Sequence, residues 1–151
     1  MNIGFIPGKW SRQTPQRDAV IDSTSGRRLT FGELDSAARK LANALLGFGL
    51  EKGDRVAILS MNSIEYCTLY FACGLAGLVV QPMNWRLAPS ELRRIIENGE
   101  PRVFITQGQY ADVAAEVSAM VDCVEYWLQY GDGGDGTYEH LVDRAADELP
   151  S

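Results

Sequence analysis

Short apolar runs that recur between stretches of helical periodicity are the feature that most constrains the fold of this chain. Four of them stand out: Arg55-Val56-Ala57-Ile58-Leu59, Leu78-Val79-Val80, Val103-Phe104-Ile105-Thr106 and Cys123-Val124-Glu125-Tyr126-Trp127-Leu128. A strand apolar on successive residues is buried on both faces, which is the condition of a parallel strand rather than of an antiparallel strand with one wet side. Amphipathic segments lie between the runs. Leu34, Ala37, Ala38, Leu41, Ala42, Leu45 and Phe48 share one helical face, while Asp35, Arg39, Lys40 and Asn43 take the other. Further helices are expected from about Ser63 to Leu75, from about Pro89 to Glu97, and from about Tyr110 to Val121 with Val113, Val117 and Met120 on one side. A last, acidic helix spans Tyr138 to Ala146. Strands alternating with helices in this way predict an α/β fold: a doubly wound, mostly parallel sheet with helices on both faces and right-handed crossovers. Ala19–Asp22 and Arg27–Thr30, separated by the polar turn Ser23-Thr24-Ser25-Gly26, predict a small β-hairpin ahead of it.

Local signals place the boundaries. Thr30-Phe31-Gly32-Glu33 has the spacing of a capping box, in which the Thr30 hydroxyl accepts from the N–H three residues on and Glu33 reaches back. Asn62 is placed to cap the next helix, Gly77 to close it, and Gly99 to sit just past the helix that begins at Pro89.

The 151 residues suffice for one globular domain, and their net charge of -6 opposes a nucleic-acid partner, which needs a basic face. Residues 131–151 alone carry a net of -5, so the acidity belongs to the tail. No secretory leader is apparent at the N-terminus, which makes a cytoplasmic location the expectation. The uncharged run from Tyr66 to Val80 is shorter than the ~20 residues of a spanning helix, and no transmembrane segment is expected. Arg12, Arg17, Arg27 and Arg28 suggest a membrane-surface alternative, but they are scattered and the overall charge opposes an anionic surface.

Candidate chemistry is sparse. Cys67, Cys73 and Cys123 form no C-x-x-C pair and read as buried free thiols, so neither a metal site nor a disulfide is expected. No G-x-G-x-x-G occupies a strand-to-helix turn, and the glycine-rich run Gly131–Gly136 contains two aspartates and no cation, so it reads as a mobile surface loop rather than a phosphate cradle. The single histidine, His140, falls on the acidic last helix, exposed to solvent and without a nucleophile to serve. Arg86 is the one candidate substrate-binding residue. Next to Trp85, it follows a strand on the side where α/β sheets bind ligands, with a solvated arginine or one paired with Glu91 as the alternatives.

In order, the phrases Arg28-Leu29-Thr30-Phe31-Gly32-Glu33-Leu34, Lys52-Gly53-Asp54-Arg55-Val56-Ala57-Ile58, Met61-Asn62-Ser63-Ile64-Glu65-Tyr66 and Gly74–Leu87 resemble the start of the AMP-forming adenylating enzymes, especially fatty-acyl and medium-chain acyl-CoA synthetases. The resemblance covers Asp18 to Thr106 well and the remainder loosely. It implies a two-step reaction in the full enzyme, carboxylate plus ATP to acyl-adenylate and pyrophosphate, then attack by the CoA thiol with release of AMP. It also implies ATP, magnesium and CoA as the full enzyme's cofactors. The Ser/Thr/Gly-rich loop ending in Pro-Lys-Gly, the Tyr-Gly-x-Thr-Glu stretch and the lysine of a mobile C-terminal domain have no counterpart in this sequence. Residues 1–151 are accordingly expected to be a truncated N-terminal subdomain of such a ligase. This subdomain is expected to be inactive alone, to carry no catalytic, cofactor or metal residue, and to have the remainder of the parent enzyme as its partner. Self-association through a face that includes Trp85, Val79 and Val103, with the strand at Cys123 as an open edge, is a further expectation. A standalone α/β binding or assembly module descended from such an enzyme is the alternative.

Overall fold

A computed structural model describes residues 2–131 and 136–150, and their contacts gather into two compact units. The first draws on Met1–Lys52, Asn62–Leu78 and Leu141–Ser151, the second on Gly53–Met61 and Val79–His140.

The second unit contains the sheet. Strands β3 (Arg55–Leu59), β4 (Val79–Met83), β5 (Val103–Gln107) and β6 (Tyr126–Tyr130) pair in parallel in the order β4-β3-β5-β6. Growth of the sheet reverses direction beside β3, the topological switch of a doubly wound fold. Val56, Ala57, Ile58 and Leu59 are all 0% exposed, so successive residues of β3 are buried whichever face they point to, as its apolar run requires. Helices α4 (Pro89–Gly99) and α5 (Ala111–Ser118) cover one face, where Leu92, Ile96, Ala114 and Val117 pack with Ala57, Leu59, Met83 and Phe104. Beneath the sheet's amino ends Arg102 forks onto both Glu125 oxygens at 2.7 and 2.9 Å and reaches Asp54 at 2.8 Å. The Glu125 hydrogen bonds, more than those of Asp54, raise the Arg102 pKa, while Arg102 holds Glu125 below the usual carboxylate range.

Three expectations shift here. Strand β6 begins at Tyr126, not Cys123, because its partner β5 begins only at Val103, after Pro101, whose nitrogen cannot donate to a ladder. Helix α5 is shorter than the expected span: a 3-10 turn at Gly108–Tyr110 precedes it, and Met120 lies beyond it, 36% exposed. Gly99 is the last residue of α4 rather than the residue after it, and Glu100 takes the left-handed position at φ 45°. The reason is crowding, since a Cβ on Gly99 would lie 2.3 Å from the Gln81 side chain. That amide donates to the Ile95 carbonyl at 3.1 Å.

The first unit is helical, apart from the antiparallel hairpin of β1 (Asp18–Ile21) and β2 (Arg28–Thr30). Helix α1 (Phe5–Gln13), which the sequence did not announce, packs with α2 (Phe31–Leu46) and α3 (Ile64–Ala76). The capping box at the start of α2 forms in both directions. The Thr30 hydroxyl accepts from Glu33 N at 3.2 Å, and Glu33 accepts from Thr30 N at 2.8 Å. Thr30→Ala should cost about 0.5–2 kcal/mol, read as a lower denaturation midpoint. A drop in any activity of the protein without such a shift would show that the cap is not the role of Thr30.

Asp35 belongs to the buried face of α2, 5% exposed, rather than to its wet face, because positions 35, 38, 42 and 45 share a helical stripe. Its charge is balanced one turn on by Arg39. Ser63, not Asn62, caps α3, accepting from Tyr66 N at 3.0 Å, and Gly77 ends that helix at φ 71°.

The tail is tied to α2. Asp147 accepts from Ser36 at 2.6 Å and from Arg39 at 2.9 Å, and Asn43 donates to the carbonyls of Ala146 and Glu148. The Ser36 hydrogen bond, ahead of those from Arg39, holds the Asp147 carboxyl below its usual range. A depressed folded pKa contributes stability above the unfolded value, and that contribution is lost as pH falls through the folded one. The tail should therefore stay bound at neutral pH and release only below about pH 4. A carboxyl carbon titration by NMR checks this, with Asp147 expected to titrate below the exposed aspartates. A titration at their ordinary value would remove the tie.

Candidate functional site

The carboxyl ends of the four parallel strands lie on one side of the sheet, and the turns that leave them place two groups of polar and aromatic side chains there. The first surrounds Arg86. Beyond the end of β4, Asn84 accepts from Arg86 N at 3.0 Å, which fixes the turn, and Glu91 accepts from Ala88 N at 2.9 Å, which fixes the entry to α4. Ala88 has no hydroxyl to return that bond, and Pro89 at the first helical position needs no acceptor. Between these two ties the Arg86 guanidinium lies over the Trp85 ring, its carbon 4.3 Å from the ring centroid. Trp85 in turn stacks on Tyr110, with centroids 5.9 Å apart and planes at 25°. Burial pushes the Tyr110 pKa up, and the Arg86 charge works against that rise.

This arrangement replaces the pairing of Arg86 with Glu91, since the Glu91 carboxylate is committed to the helix entry. Among the described residues Arg86 has no ion pair. A guanidinium held over an indole ring keeps N–H donors for solvent or for a planar anion, and a carboxylate or a phosphate can accept two parallel hydrogen bonds from it. The cation–aromatic contact itself stabilises an exposed pair by about 0.5–1 kcal/mol. Arg86 is thus held over Trp85 without an ion pair among the described residues.

The second group was not read from the sequence. Ser60, Gln107 and Tyr130 end or follow β3, β5 and β6, and Gln107 Oε1 accepts from Met61 N at 3.1 Å, Ser60 Oγ at 3.3 Å and Gln109 Nε2 at 3.1 Å. Ser60 also bonds to Tyr130 and to the Met61 carbonyl. A hydroxyl has one proton to give, so Ser60 serves these acceptors one at a time. Buried, satisfied and without a base beside it among the described residues, Ser60 is not set up as a nucleophile, and the group ties three strand ends together.

His140 is exposed, as its place on the last helix suggested. Cys73 is buried and its thiol is pushed up to about 12 by that burial, while Cys67 and Cys123 are half-buried and also raised. None is poised as a thiolate. Residues 132–135 of the glycine-rich run lie outside the described residues. An open cleft of about 430 Å³ runs beside β6 and α5, lined by Thr106, Ala114, Trp127, Gln129 and Thr137 among others, with no charged side chain among its described lining residues to hold an anion.

Among the described residues, neither the turn after β3 nor any acidic cluster has the make-up of a triphosphate cradle or a magnesium site. The turn Ser60-Met61-Asn62-Ser63 has neither glycine nor lysine, and no group of three His, Cys, Asp or Glu side chains among the described residues could hold a metal ion.

Comparison with known proteins matches residues 8–146 to the family described as AMP-binding enzyme. The long-chain-fatty-acid–CoA ligase FadD13 of Mycobacterium tuberculosis is 32% identical over 97% of this chain, and the indoleacetate–CoA ligase of Aromatoleum aromaticum is 30% identical over 99%. This chain spans only 29% and 28% of their lengths. An inhibitor-bound crystal structure of the N-terminal domain of FACL13 from Mycobacterium tuberculosis superposes with a TM-score of 0.90 at 28% identity, over 99% of this chain and 37% of that one.

Proposed function

Because the chain belongs to the AMP-binding enzyme family, we propose that it serves as the first part of an ATP-dependent acid–CoA ligase, supporting one wall of the acyl and nucleotide sites while the chemistry resides elsewhere in the parent enzyme. The observation that carries this reading is the match over residues 8–146 in a sequence that lacks the phosphate loop, the Tyr-Gly-x-Thr-Glu stretch and the C-terminal lysine. In the parent, a carboxylate oxygen attacks the α-phosphorus of ATP and pyrophosphate leaves. The CoA thiol then displaces AMP from the acyl-adenylate. Those steps need cationic and metal clamps on the reacting phosphate, which this chain does not supply. Its own contribution is positional: the carboxyl edge of the sheet, held by the Ser60, Gln107 and Tyr130 ties, and the guanidinium of Arg86, which is suited to the substrate's carboxylate.

The bonds of Ser36, Arg39 and Asn43 to Ala146 and Asp147 favour a second reading, a self-sufficient binding or assembly module, since they hold that segment against a helix of the same unit. The gene sequence after the codon for Ser151 separates the two. A Ser/Thr/Gly-rich segment ending in Pro-Lys-Gly is the expected continuation, and an immediate stop codon would move the weight to the module.

The chain should also associate with itself. The expected face is altered by the burial pattern: Val79 is 47% exposed, but Val103 is fully buried and Trp85 is half-buried against the core. Strand β6 is an edge, although Gln129 N already donates to the Thr137 hydroxyl at 2.9 Å, so the edge is blunted at that point. Sedimentation over a wide concentration range should show reversible dimers. A strict monomer at high concentration would count against an exposed inter-domain face.

A further inference from the structure

Helix α5 turns a row of small residues toward the sheet. Ala111, Ala114, Ala115 and Ser118 fall at i, i+3, i+4 and i+7, one face of a helix, and all four line the open cleft of about 430 Å³ beside β6. The other wall comes from the strands. Trp127 and Gln129 of β6 stand in register with Phe104 and Thr106 of β5, and alternation along a strand puts these four on one face, where Ala114 and Val117 pack with Phe104. The layer between helix and sheet is filled around Phe104 by Leu92, Ile96 and Val117, and it is left open toward the strand ends at Thr106 and Gln129. Every lining residue belongs to the second unit, so the cleft is formed within one compact body.

Thr106 is the residue this opening leaves stranded. It is 3% exposed and its backbone is engaged with Leu59 and Gln129, yet its hydroxyl makes no hydrogen bond among the described residues. The neighbouring hydroxyls are occupied: Ser118 donates to the Ala115 carbonyl at 2.7 Å, and Thr137 accepts from Gln129 N at 2.9 Å. A buried hydroxyl without a partner has given up its bonds to water for nothing, and a polar ligand atom in the cleft restores them. Trp127, half-buried and in ring contact with Phe104 at 4.8 Å, offers the cleft an aromatic wall. No described lining residue is charged, so an ion would lose its hydration there without gaining a counter-charge.

We infer that the cleft between α5 and the carboxyl ends of β5 and β6 binds an uncharged, planar aromatic molecule bearing an amide or a hydroxyl. Its ring lies between Trp127 and the small-residue row of α5, and its polar group meets the Thr106 hydroxyl. The volume falls within the roughly 300–1,000 Å³ of small-molecule sites. This ligand class differs from that suited to Arg86, which is anionic, and the inference does not rest on the ligase reading.

Titration of the purified chain with benzamide, followed by NMR at the Trp127 indole and the α5 amides, tests it. Benzamide should shift these signals saturably in the millimolar range proper to so small a ligand. Benzoate and benzamidine, of nearly the same shape and opposite charge, should each bind there at least about tenfold more weakly. Reading Trp127 rather than Trp85 keeps any benzoate held by Arg86 out of the measurement. Ala115→Phe, at an exposed helix position, should fill the cleft and weaken benzamide by about tenfold or more. Thr106→Val keeps the side-chain shape and should weaken benzamide by roughly two- to tenfold, with a melting temperature equal to or above that of the parent chain, because a stranded hydroxyl has been removed. Glu116→Leu, on α5 but outside the cleft, should leave the affinity unchanged. Absence of saturable shifts, ions that bind as well as benzamide, full affinity in either cleft variant, equal loss in the Glu116 control, or a lower melting temperature for Thr106→Val would each overturn the proposal.

Discussion

Phe104→Ala should lower the unfolding free energy by about 3–5 kcal/mol, the largest single effect expected in this chain. Phe104 is fully buried in β5, and its ring lies 4.8 Å from that of Trp127 on β6. Removing it deletes the apolar contacts and leaves a hole that the flanking strands cannot close, because Phe104 is paired by backbone to Ala57 on one side and Trp127 on the other. Domains of this size are stable by only about 5–15 kcal/mol, so the variant should unfold at a much lower denaturant concentration and show altered Trp127 emission. Ile105→Val, which removes one methylene, should cost about 0.5–1.5 kcal/mol. A Phe104→Ala cost below that of Ile105→Val would mean that the core is not centred on this ring.

Gly74→Ala should cost about 1–3 kcal/mol, and the loss should come with release of α1. A Cβ at that position would lie 2.7 Å from Gly4 N, and both atoms belong to chain that cannot swing aside as a side-chain tip can. Asn2 bonds to the Gly74 carbonyl at 2.7 Å and to Gly4 N at 2.8 Å, so the same contact anchors the start of the helix. Hydrogen exchange should show faster exchange at the amides of Phe5–Gln13 in the variant, with the β5 amides unaffected. Uniform acceleration throughout would place α1 within the global folding unit instead.

Much of this fold was legible because its signals were local. Strand β3 has the expected bounds, the hairpin pairs as its polar turn implied, and the Thr30 box needs only four adjacent residues. Helix α1 was invisible for a physical reason: Gly4, Pro7 and Gly8 are poor helix formers, and its inward face is small rather than apolar, so no hydrophobic period marks it. Asp35 was misplaced by residue type, since an acid is assigned to solvent unless its partner is known. Asn62 and Ser63 are both capping residues in adjacent positions, and nothing local decides between them. Of the candidate site, the position of Arg86 beyond a strand end was readable, as was its neighbour Trp85. The Tyr110 ring beneath them and the Ser60 bond to Tyr130, 70 residues away, depend on strand order, which no short-range pattern carries.

Under the proposed function, this chain carries the family's scaffold without its nucleotide chemistry. Calorimetric titration of the purified chain with magnesium and ATP, followed by an assay of pyrophosphate release in the presence of a carboxylate, tests it most directly. The expected result is no binding in the micromolar range and no carboxylate-dependent pyrophosphate. Micromolar binding, or pyrophosphate release by a sample free of full-length ligase, would contradict it.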